Sequence, residues 1–394
     1  MTIYLDHAAT TPLRREVLDA MLPFLTDIYG NPSSAHGPGR AARAGLDDAH
    51  ERVAKRLNAE AREIVFTSGG TEANNLAIKG TAWAGKARGH RIVTSAIEHH
   101  AVGHAMRYLE KFGFEIVELP VDRYGRVDPD QLEAALTDKT ILVSIMLANN
   151  EVGTIQPIDE IARRVKARRG IVLHVDAVQA APYLDLDVQT LGADLISLGA
   201  HKFEGPKGVG ALVVRHGTHL LAQQHGGTQE RHRRAGTENV AGAVGLAAAY
   251  DLCCDERTQT VARLRAAREQ LQAAVLAVPD TELTGHPTDR LPGLLSIIAR
   301  GTDGASVTVS LDLEGIATSV GSACTTGSTE VSHVLTAMGY PEDEARGALR
   351  LSLGRTTSDA DLATAVEVVP RVVASMRRAS AAVAADPMGQ GVPA

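Results

Sequence analysis

Short apolar runs separated by stretches of helical periodicity fill the chain between Glu60 and about Val214. The runs are rich in β-branched residues and end at turn residues, which is typical of buried strands. They are Glu63-Ile-Val-Phe, Arg91-Ile-Val-Thr, Phe114-Glu-Ile-Val-Glu-Leu, Thr140-Ile-Leu-Val-Ser-Ile, Ile171-Val-Leu-His-Val and Asp194-Leu-Ile-Ser-Leu. Strands that alternate with helices predict βαβ units, and therefore an α/β fold with a mostly parallel sheet wrapped by helices.

The pattern changes after Thr237. Residues 241–276 have an amphipathic helical pattern and predict a connecting helix, and two further strand-like runs follow among helical segments. At 394 residues the chain is too long for one ordinary core. We therefore predict an N-terminal arm that packs on the smaller domain, a large domain, a smaller α+β domain and a disordered tail, with the bounds 1–15, 16–257, 258–380 and 381–394.

Composition narrows the class of protein. Apolar residues make up 44% and charged residues 22% of the chain, as in soluble globular proteins. No run approaches the roughly 18 apolar residues of a membrane span, and the N-terminus lacks a basic and apolar leader. The net charge of −7 comes from interspersed charges and predicts no nucleic-acid partner. We expect a cytoplasmic protein that binds no membrane.

Lys202 and Asp176 are the first candidate pair for catalysis. Asp176 ends the strand-like run that begins at Ile171, and open α/β sheets bind ligands at the carboxyl ends of their strands. Lys202 follows about one βαβ unit later, between a His and a Gly-Pro turn. A lysine that forms a Schiff base and an acid that holds a protonated pyridine nitrogen are the groups that pyridoxal phosphate requires. Each residue alone is more often a surface or turn residue, but the pair indicates this cofactor.

Two further strand ends carry polar groups. Gly70 and Thr71 lie in a glycine turn between a strand and a helix, where backbone N–H groups and the helix dipole favour a phosphate. A simple helix cap is the competing interpretation. His99 follows another strand and could stack on a pyridine ring and transfer protons. A metal pair of His100 and His104 is the weaker alternative, because no further ligand pattern supports it.

Three more residues are candidates for substrate chemistry. Cys324 lies among small residues in Gly321-Ser-Ala-Cys-Thr-Thr-Gly-Ser, which predicts a mobile loop with a nucleophilic thiol. Arg355 ends a strand-like run and could bind a carboxylate through its two-pronged guanidinium. Asn31, in Gly30-Asn-Pro-Ser-Ser, is a second candidate for that carboxylate. An amino-acid substrate would use both.

With these motifs assembled, the chain resembles the cysteine desulfurases, the NifS-like and IscS-like group of the class V aminotransferase family. The resemblance runs from Tyr4 to about Arg355. The matching motifs, besides those already quoted, are Tyr4-Leu-Asp-His-Ala-Ala-Thr-Thr-Pro, Thr67-Ser-Gly-Gly-Thr-Glu, Glu98-His, Asn149-Asn-Glu-Val-Gly, His174-Val-Asp-Ala-Val-Gln, Ala200-His-Lys and Arg234-Ala-Gly-Thr-Glu-Asn. The resemblance implies fold type I of the pyridoxal-phosphate enzymes, with a seven-stranded sheet, in a homodimer.

The resemblance also implies a role for each matched residue. Lys202 binds the cofactor covalently, and Cys324 takes sulfur from L-cysteine as a persulfide and releases L-alanine. The other implied cofactor contacts are His99 on the ring face, Asp176 at the ring nitrogen, Gln179 at the ring hydroxyl, Asn150, the phosphate contacts Gly70, Thr71 and His201, and Thr237 from the neighbouring subunit. The sulfur then passes to an acceptor protein, an IscU-like scaffold or another carrier, for Fe–S cluster assembly or other thio-cofactor synthesis.

Two departures from the family pattern affect these expectations. Gly199 stands where many relatives have a serine, so the phosphate cup lacks one hydroxyl, and we expect a backbone amide or a water to replace it. The tail from Val383 lacks the aromatic and acidic character of the segment that docks the scaffold in IscS-like enzymes. A selenocysteine lyase or another class V enzyme is the alternative within the family. A sulfur carrier or Fe–S scaffold without catalytic activity is the alternative outside it.

Overall fold

The computed structural model describes residues 2–321 and 331–385. Its strands are β1 (Ile3–Tyr4), β2 (Ile64–Thr67), β3 (Arg91–Ser95), β4 (Glu115–Leu119), β5 (Thr140–Met146), β6 (Val172–Asp176), β7 (Leu195–Gly199), β8 (Gly210–Val214), β9 (Thr281–Leu283), β10 (Leu294–Ala299), β11 (Ile316–Ala317) and β12 (Ala348–Ser352). Its α-helices are α1 (Arg15–Thr26), α2 (Gly37–Leu57), α3 (Gly70–Gly85), α4 (His100–Glu110), α5 (Pro129–Ala135), α6 (Ile158–Lys166), α7 (Val188–Leu191), α8 (Val240–Leu276), α9 (Gly304–Leu313), α10 (His333–Ala337), α11 (Glu342–Ala345) and α12 (Asp359–Ala385). Short 3-10 helices cover Ala61–Glu63, Ala200–Lys202 and Gln229–His232.

The large sheet has, within the described residues, seven strands in the order β2-β8-β7-β6-β5-β3-β4. Strand β8 runs antiparallel to both of its neighbours, and the other pairs are parallel. Every residue of β5 is buried, because helices cover both faces of the sheet, and this explains why the strand reads as a continuous apolar run. The predicted α/β fold with a mostly parallel seven-stranded sheet is confirmed.

A chain of buried polar side chains crosses the middle of this sheet. His174 on β6 bonds through Nδ1 to Ser144 Oγ on β5 at 2.8 Å, and through Nε2 to Ser197 Oγ on β7 at 2.9 Å. All three side chains are fully buried. Burial lowers the pKa of His174 to about 3, so its ring is neutral at physiological pH. The hydrogen bonds satisfy groups that would otherwise destabilise the core.

The C-terminal part has its own apolar core around a three-stranded antiparallel sheet, β12-β10-β9. Helix α8 packs on this sheet, and α12 packs on α8 and α9. The N-terminal arm joins it, since β1 pairs with β11 in parallel and Asp6 bridges to Ser352. Helix α12 continues to Ala385, so residues 381–385 of the predicted tail are helical. Residues 386–394 lie outside the described part of the chain, and the domain boundaries stay a prediction.

No helix in the described ranges is both long enough and apolar enough to cross a membrane. The parallel strands β5 and β6 and the turns that follow them end on the same edge of the large sheet as the N-terminal ends of α3 and α4. This edge holds the candidate site.

Candidate active site

A cavity of about 610 Å³ opens at the carboxyl ends of the parallel strands. This volume is in the usual range for small-molecule sites. Eight of the predicted site residues line it: Gly70, Thr71, His99, Asn150, Asp176, Gln179, His201 and Lys202. They come from five separate stretches of sequence, which meet because the ends of parallel strands lie side by side.

Lys202 lies in the 3-10 helix that follows β7. Its Nζ donates hydrogen bonds to the backbone carbonyls of Ala8 at 2.5 Å and Ala9 at 2.9 Å. The N-terminal arm is held against the same helix, because Thr11 donates through both its N–H and its hydroxyl to the carbonyl of His201. The arm therefore helps to position the lysine.

Asp176 forms the buried acidic end of the cavity. Its Oδ2 accepts a hydrogen bond from Asn74 Nδ2 at 2.6 Å, and its Oδ1 accepts one from the Val178 amide at 3.0 Å. Close by, Gln179 is only 6% exposed, and its Oε1 is buried without a hydrogen-bond partner among the described residues. A buried carbonyl oxygen of this kind requires a donor, and a bound ligand with a hydroxyl group would supply it.

The N-terminus of α3 faces the same cavity. Its N-cap residue, Gly69, has φ 150 and contributes no side-chain hydrogen bond, so the amides of the first turn have no side-chain acceptor. A β-carbon on Gly70 would lie 2.7 Å from Val178 Cγ2, so a larger residue here would require the Val178 side chain to shift. His201 adds an imidazole, whose pKa burial and the nearby Lys202 and Lys207 lower to about 4. Free helix amides with a glycine turn are a phosphate site.

His99 is the N-cap residue of α4, and its Nδ1 accepts a hydrogen bond from the Ala101 amide at 3.1 Å. Burial lowers the pKa of His99, although Asp176 opposes this shift. The ring is therefore neutral near pH 7 and carries its proton on Nε2, because Nδ1 is an acceptor. The His100 ring lies 5.1 Å from that of His104 and 5.0 Å from that of His333. No group of three or more His, Cys, Asp or Glu side chains in the described ranges is arranged to hold a metal ion.

Glu98 lies buried below this surface. Its Oε1 accepts hydrogen bonds from Ser95 Oγ at 2.5 Å and from the Met146 amide at 3.0 Å. Burial, with a smaller contribution from Asp176, raises the pKa of Glu98 to about 8. A neutral carboxylic acid therefore lies behind the cavity at pH 7.

The structure places an arginine in the cavity that the sequence analysis did not select. Arg350 is 1% exposed and lines the cavity. Its guanidinium donates to the carbonyls of Asn150 at 3.0 Å and Gly321 at 2.8 Å, and to Asp6 Oδ1 at 2.8 Å. In the sequence, Arg350 could have been recognised as the lone charged residue in the strand-like run Leu349-Arg-Leu-Ser-Leu.

The structure does not bring the remaining predicted residues into this cavity. Arg355 donates to Glu204 Oε2 at 2.6 Å and lines a neighbouring cavity. Asn31 is exposed, and its Oδ1 accepts a hydrogen bond from the Ser33 amide. Thr237 is exposed, and its predicted role in a second subunit stays a prediction. Cys324 lies outside the described residues.

Comparison with known proteins identifies the family. The family model of the class-V aminotransferases matches residues 3–364. The chain belongs to the class-V aminotransferase family. Within it, a protein of Methanosarcina thermophila named cysteine desulfurase IscS is 49% identical, over 96% of this chain and 93% of its own length. A relative with the same name from Dictyoglomus turgidum is 48% identical, over 96% of both chains.

Solved structures agree with this assignment. A NifS-like protein superposes with a TM-score of 0.90 at 36% identity, covering 95% of this chain and all of its own. A structure titled SspA in complex with cysteine superposes with a TM-score of 0.79 at 34% identity, over 91% of this chain and 100% of that one. The predicted membership of the NifS-like and IscS-like group is therefore confirmed.

Proposed function

We propose that this protein is a pyridoxal-phosphate-dependent cysteine desulfurase, which converts L-cysteine to L-alanine and keeps the sulfur as a persulfide on Cys324. The names of its relatives support this activity. The observation that carries the proposal is the convergence of Lys202, Asp176 and Arg350 in one cavity beside Gly321, three residues before Cys324. A lysine that can form a Schiff base and a buried acid that can face the ring nitrogen are the groups that pyridoxal phosphate requires.

The residues present fit pyridoxal phosphate, which when bound supplies an electron sink for bonds at the amino-acid substrate. Lys202 would hold it covalently, and the carboxylate of Asp176 would face its ring nitrogen. The unpartnered Oε1 of Gln179 would accept its ring hydroxyl, and Asn150 would contact the ring. Gly70, Thr71 and His201 would hold its phosphate at the start of α3, with Thr237 added from a partner subunit.

We assign the substrate carboxylate to Arg355, with Asn31 as a second contact. Arg355 lines a neighbouring cavity that Lys202 also lines, and its Nε donates to Glu204 Oε2 at 2.6 Å. Arg350 is a second candidate, because it lines the main cavity and its Nε has no partner among the described residues. Both of its Nη atoms, however, already donate to backbone carbonyls and to a carboxylate. A guanidinium shielded from water binds a carboxylate strongly, because less water competes for it.

Proton transfer falls to His99 and Lys202. The neutral ring of His99 holds a proton on Nε2, which it can donate. Lys202 can take the proton from the substrate's α-carbon when it is unprotonated, and the carbonyls of Ala8 and Ala9 then hold the resulting ammonium in place. Both groups face the same cavity.

Sulfur transfer is the role of Cys324. Its thiolate attacks the sulfur of the bound substrate, so an S–S bond forms while the C–S bond breaks, and the carbon that loses sulfur takes a proton to become alanine. By contrast, burial raises the pKa of Cys253 to about 12, which leaves that thiol protonated and inert. The persulfide would pass to an acceptor protein, in a homodimeric enzyme of the cytoplasm.

The first test is the absorption spectrum of the purified protein, followed by an assay of alanine and sulfide from L-cysteine with a reductant. We expect a pyridoxal-phosphate band, and alanine production that Cys324→Ala abolishes. Alanine production that survives Cys324→Ala, or a clear preference for selenocysteine or another amino acid, would indicate another class V enzyme. Absence of the band even after pyridoxal phosphate is added would reject the enzyme proposal.

A further inference from the structure

The turn after β5 is a rigid platform beside the cavity. Asn149 is fully buried, and its Oδ1 accepts hydrogen bonds from the amides of Glu151 at 2.8 Å and Val152 at 2.9 Å. Its Nδ2 donates to the carbonyl of Ile97 at 3.0 Å. The Asn149 side chain therefore holds the turn in one conformation and attaches it to the segment after β3. The residues of the turn consequently have little conformational freedom.

Glu151 projects from this turn and is only 5% exposed. Its Oε2 accepts a hydrogen bond of 2.5 Å from the hydroxyl of Ser332, the N-cap residue of α10. The same oxygen lies 3.3 Å from the point where a β-carbon on Gly321 would stand. Gly321 has φ +98, so this close approach also depends on a conformation that favours glycine. Glu151 thus accepts a hydrogen bond from Ser332 and lies close to Gly321, and these two residues stand on either side of Cys324 in the sequence.

Arg350 connects Gly321 to the same turn by hydrogen bonds. Its Nη1 donates both to the carbonyl of Gly321 at 2.8 Å and to the carbonyl of Asn150 at 3.0 Å. Gly321 and Ser332, one on each side of the cysteine-bearing stretch, are therefore attached to one turn. A buried carboxylate that accepts a short hydroxyl bond at this point is strongly held.

We propose that Glu151 is a positioning residue for sulfur transfer, because its carboxylate holds Ser332 on one side of the stretch that carries Cys324, while Arg350 holds Gly321 on the other side. This inference rests on the proposed function. Although Glu151 also lines the cavity, its hydrogen bond to Ser332 places its main effect on the step that Cys324 performs, which the measurement of substrate affinity tests.

The test exchanges the hydrogen-bond donor and acceptor between Ser332 and Glu151. Ser332→Asp keeps a residue that caps α10 but sets two carboxylates against each other. Glu151→Gln in the same chain restores a hydrogen bond, because the glutamine amide donates to the new aspartate. We expect Ser332→Asp to slow persulfide formation on Cys324 by about tenfold or more, and the double variant to recover to within about threefold of the wild type.

Three readouts separate positioning from a general structural role. Mass spectrometry of Cys324 after mixing with L-cysteine gives the rate of persulfide formation. The absorbance change on adding L-cysteine gives substrate affinity, which should stay within about twofold in all variants. Ser306→Asp is the matched control, since Ser306 donates to Asp303 at 2.6 Å on an exposed part of α9, and this change should leave the rate unaltered.

Different outcomes would reject the positioning role of Glu151 and the proposed enzymatic activity. Wild-type persulfide rates in Ser332→Asp, no recovery in the double variant, or lost substrate affinity would each overturn the positioning role. If the wild type forms no alanine, the proposed function fails, but amide hydrogen exchange still tests the anchor. Exchange at the Leu335 amide, which donates to Ser332 Oγ, should then quicken in Ser332→Asp and return in the double variant, and unchanged exchange would reject the anchor itself.

Discussion

Asn74 donates a hydrogen bond of 2.6 Å from Nδ2 to Asp176 Oδ2, and both side chains are buried at the acidic end of the cavity. With the Val178 amide on the other oxygen, this bond fixes the orientation of the carboxylate. Asn74 on α3 therefore links the helix that begins at the proposed phosphate site to the residue proposed to face the ring nitrogen.

Replacing Asn74 by aspartate should weaken cofactor binding. A second carboxylate would then lie against Asp176, and like charges in a buried site repel strongly. We expect Asn74→Asp to lower the affinity for pyridoxal phosphate by about tenfold or more, and Asn74→Ala to have a smaller effect because it only removes a donor. Absorbance titration of the cofactor-free protein measures both. Equal affinity of Asn74→Asp and the wild type would show that this bond does not control the site.

Asp176→Ala should keep the fold yet lose most turnover, because the ring nitrogen of the cofactor would lose the carboxylate that keeps it protonated. We expect a fall of about a hundredfold or more in alanine formation. The circular dichroism spectrum of the variant serves as the control for folding. Near-normal turnover would mean that another group performs this role.

Gly199→Ser tests whether the missing serine hydroxyl weakens the binding of the cofactor phosphate. A β-carbon at Gly199 would lie 3.3 Å from Val178 Cγ1 and 3.5 Å from the Gly70 amide, so the serine fits with a small shift beside the start of α3. Since other donors already surround this point, we expect the variant and the wild type to bind pyridoxal phosphate within about threefold of each other. If the variant binds pyridoxal phosphate much more tightly than the wild type, the wild-type phosphate site lacks a hydrogen-bond donor.

His174 should make the protein sensitive to acid. Its pKa is about 3 in the folded protein, against about 6.5 in an unfolded chain. Between these values only the unfolded state binds the proton, so stability falls as the pH drops from about 6.5 towards 3. We expect His174→Gln to lower the unfolding temperature at neutral pH but to flatten its decline below about pH 6.5. A decline as steep as in the wild type would contradict this.

Glu98 should have the opposite pH dependence. Its pKa is about 8 in the folded state, against about 4.3 when unfolded. In this range the folded state holds a proton that the unfolded state has released, so stability falls as the pH rises towards 8. Glu98→Gln keeps an oxygen that accepts from Ser95 and Met146. Its unfolding temperature, relative to that of the wild type, should therefore be higher near pH 8 than near pH 5.

The sequence predicted the sheet and most of the cavity because both follow from local patterns. Asp176 is the last residue of β6, and His99 lies four residues beyond the end of β3. The carboxyl ends of parallel strands lie at the same edge of a sheet, whatever path the chain takes between the strands. Arg350 was not selected because it lies inside a strand-like run, and sequence does not reveal which cavity the side chain of a strand residue faces. Asn74 was missed because its role depends on a contact with a residue 102 positions away.

The hydrogen bonds between the N-terminal arm and the rest of the chain affect the order in which the site can assemble. The amides of Ile3 and His7 donate to the carbonyls of Gly315 and Ser352, and Ala8 and Ala9 accept from Lys202. During translation the arm emerges from the ribosome before residues 315–352, which are more than 300 positions further along the chain. A nascent chain therefore cannot complete the surroundings of Lys202 until β11 and β12 have also been synthesised.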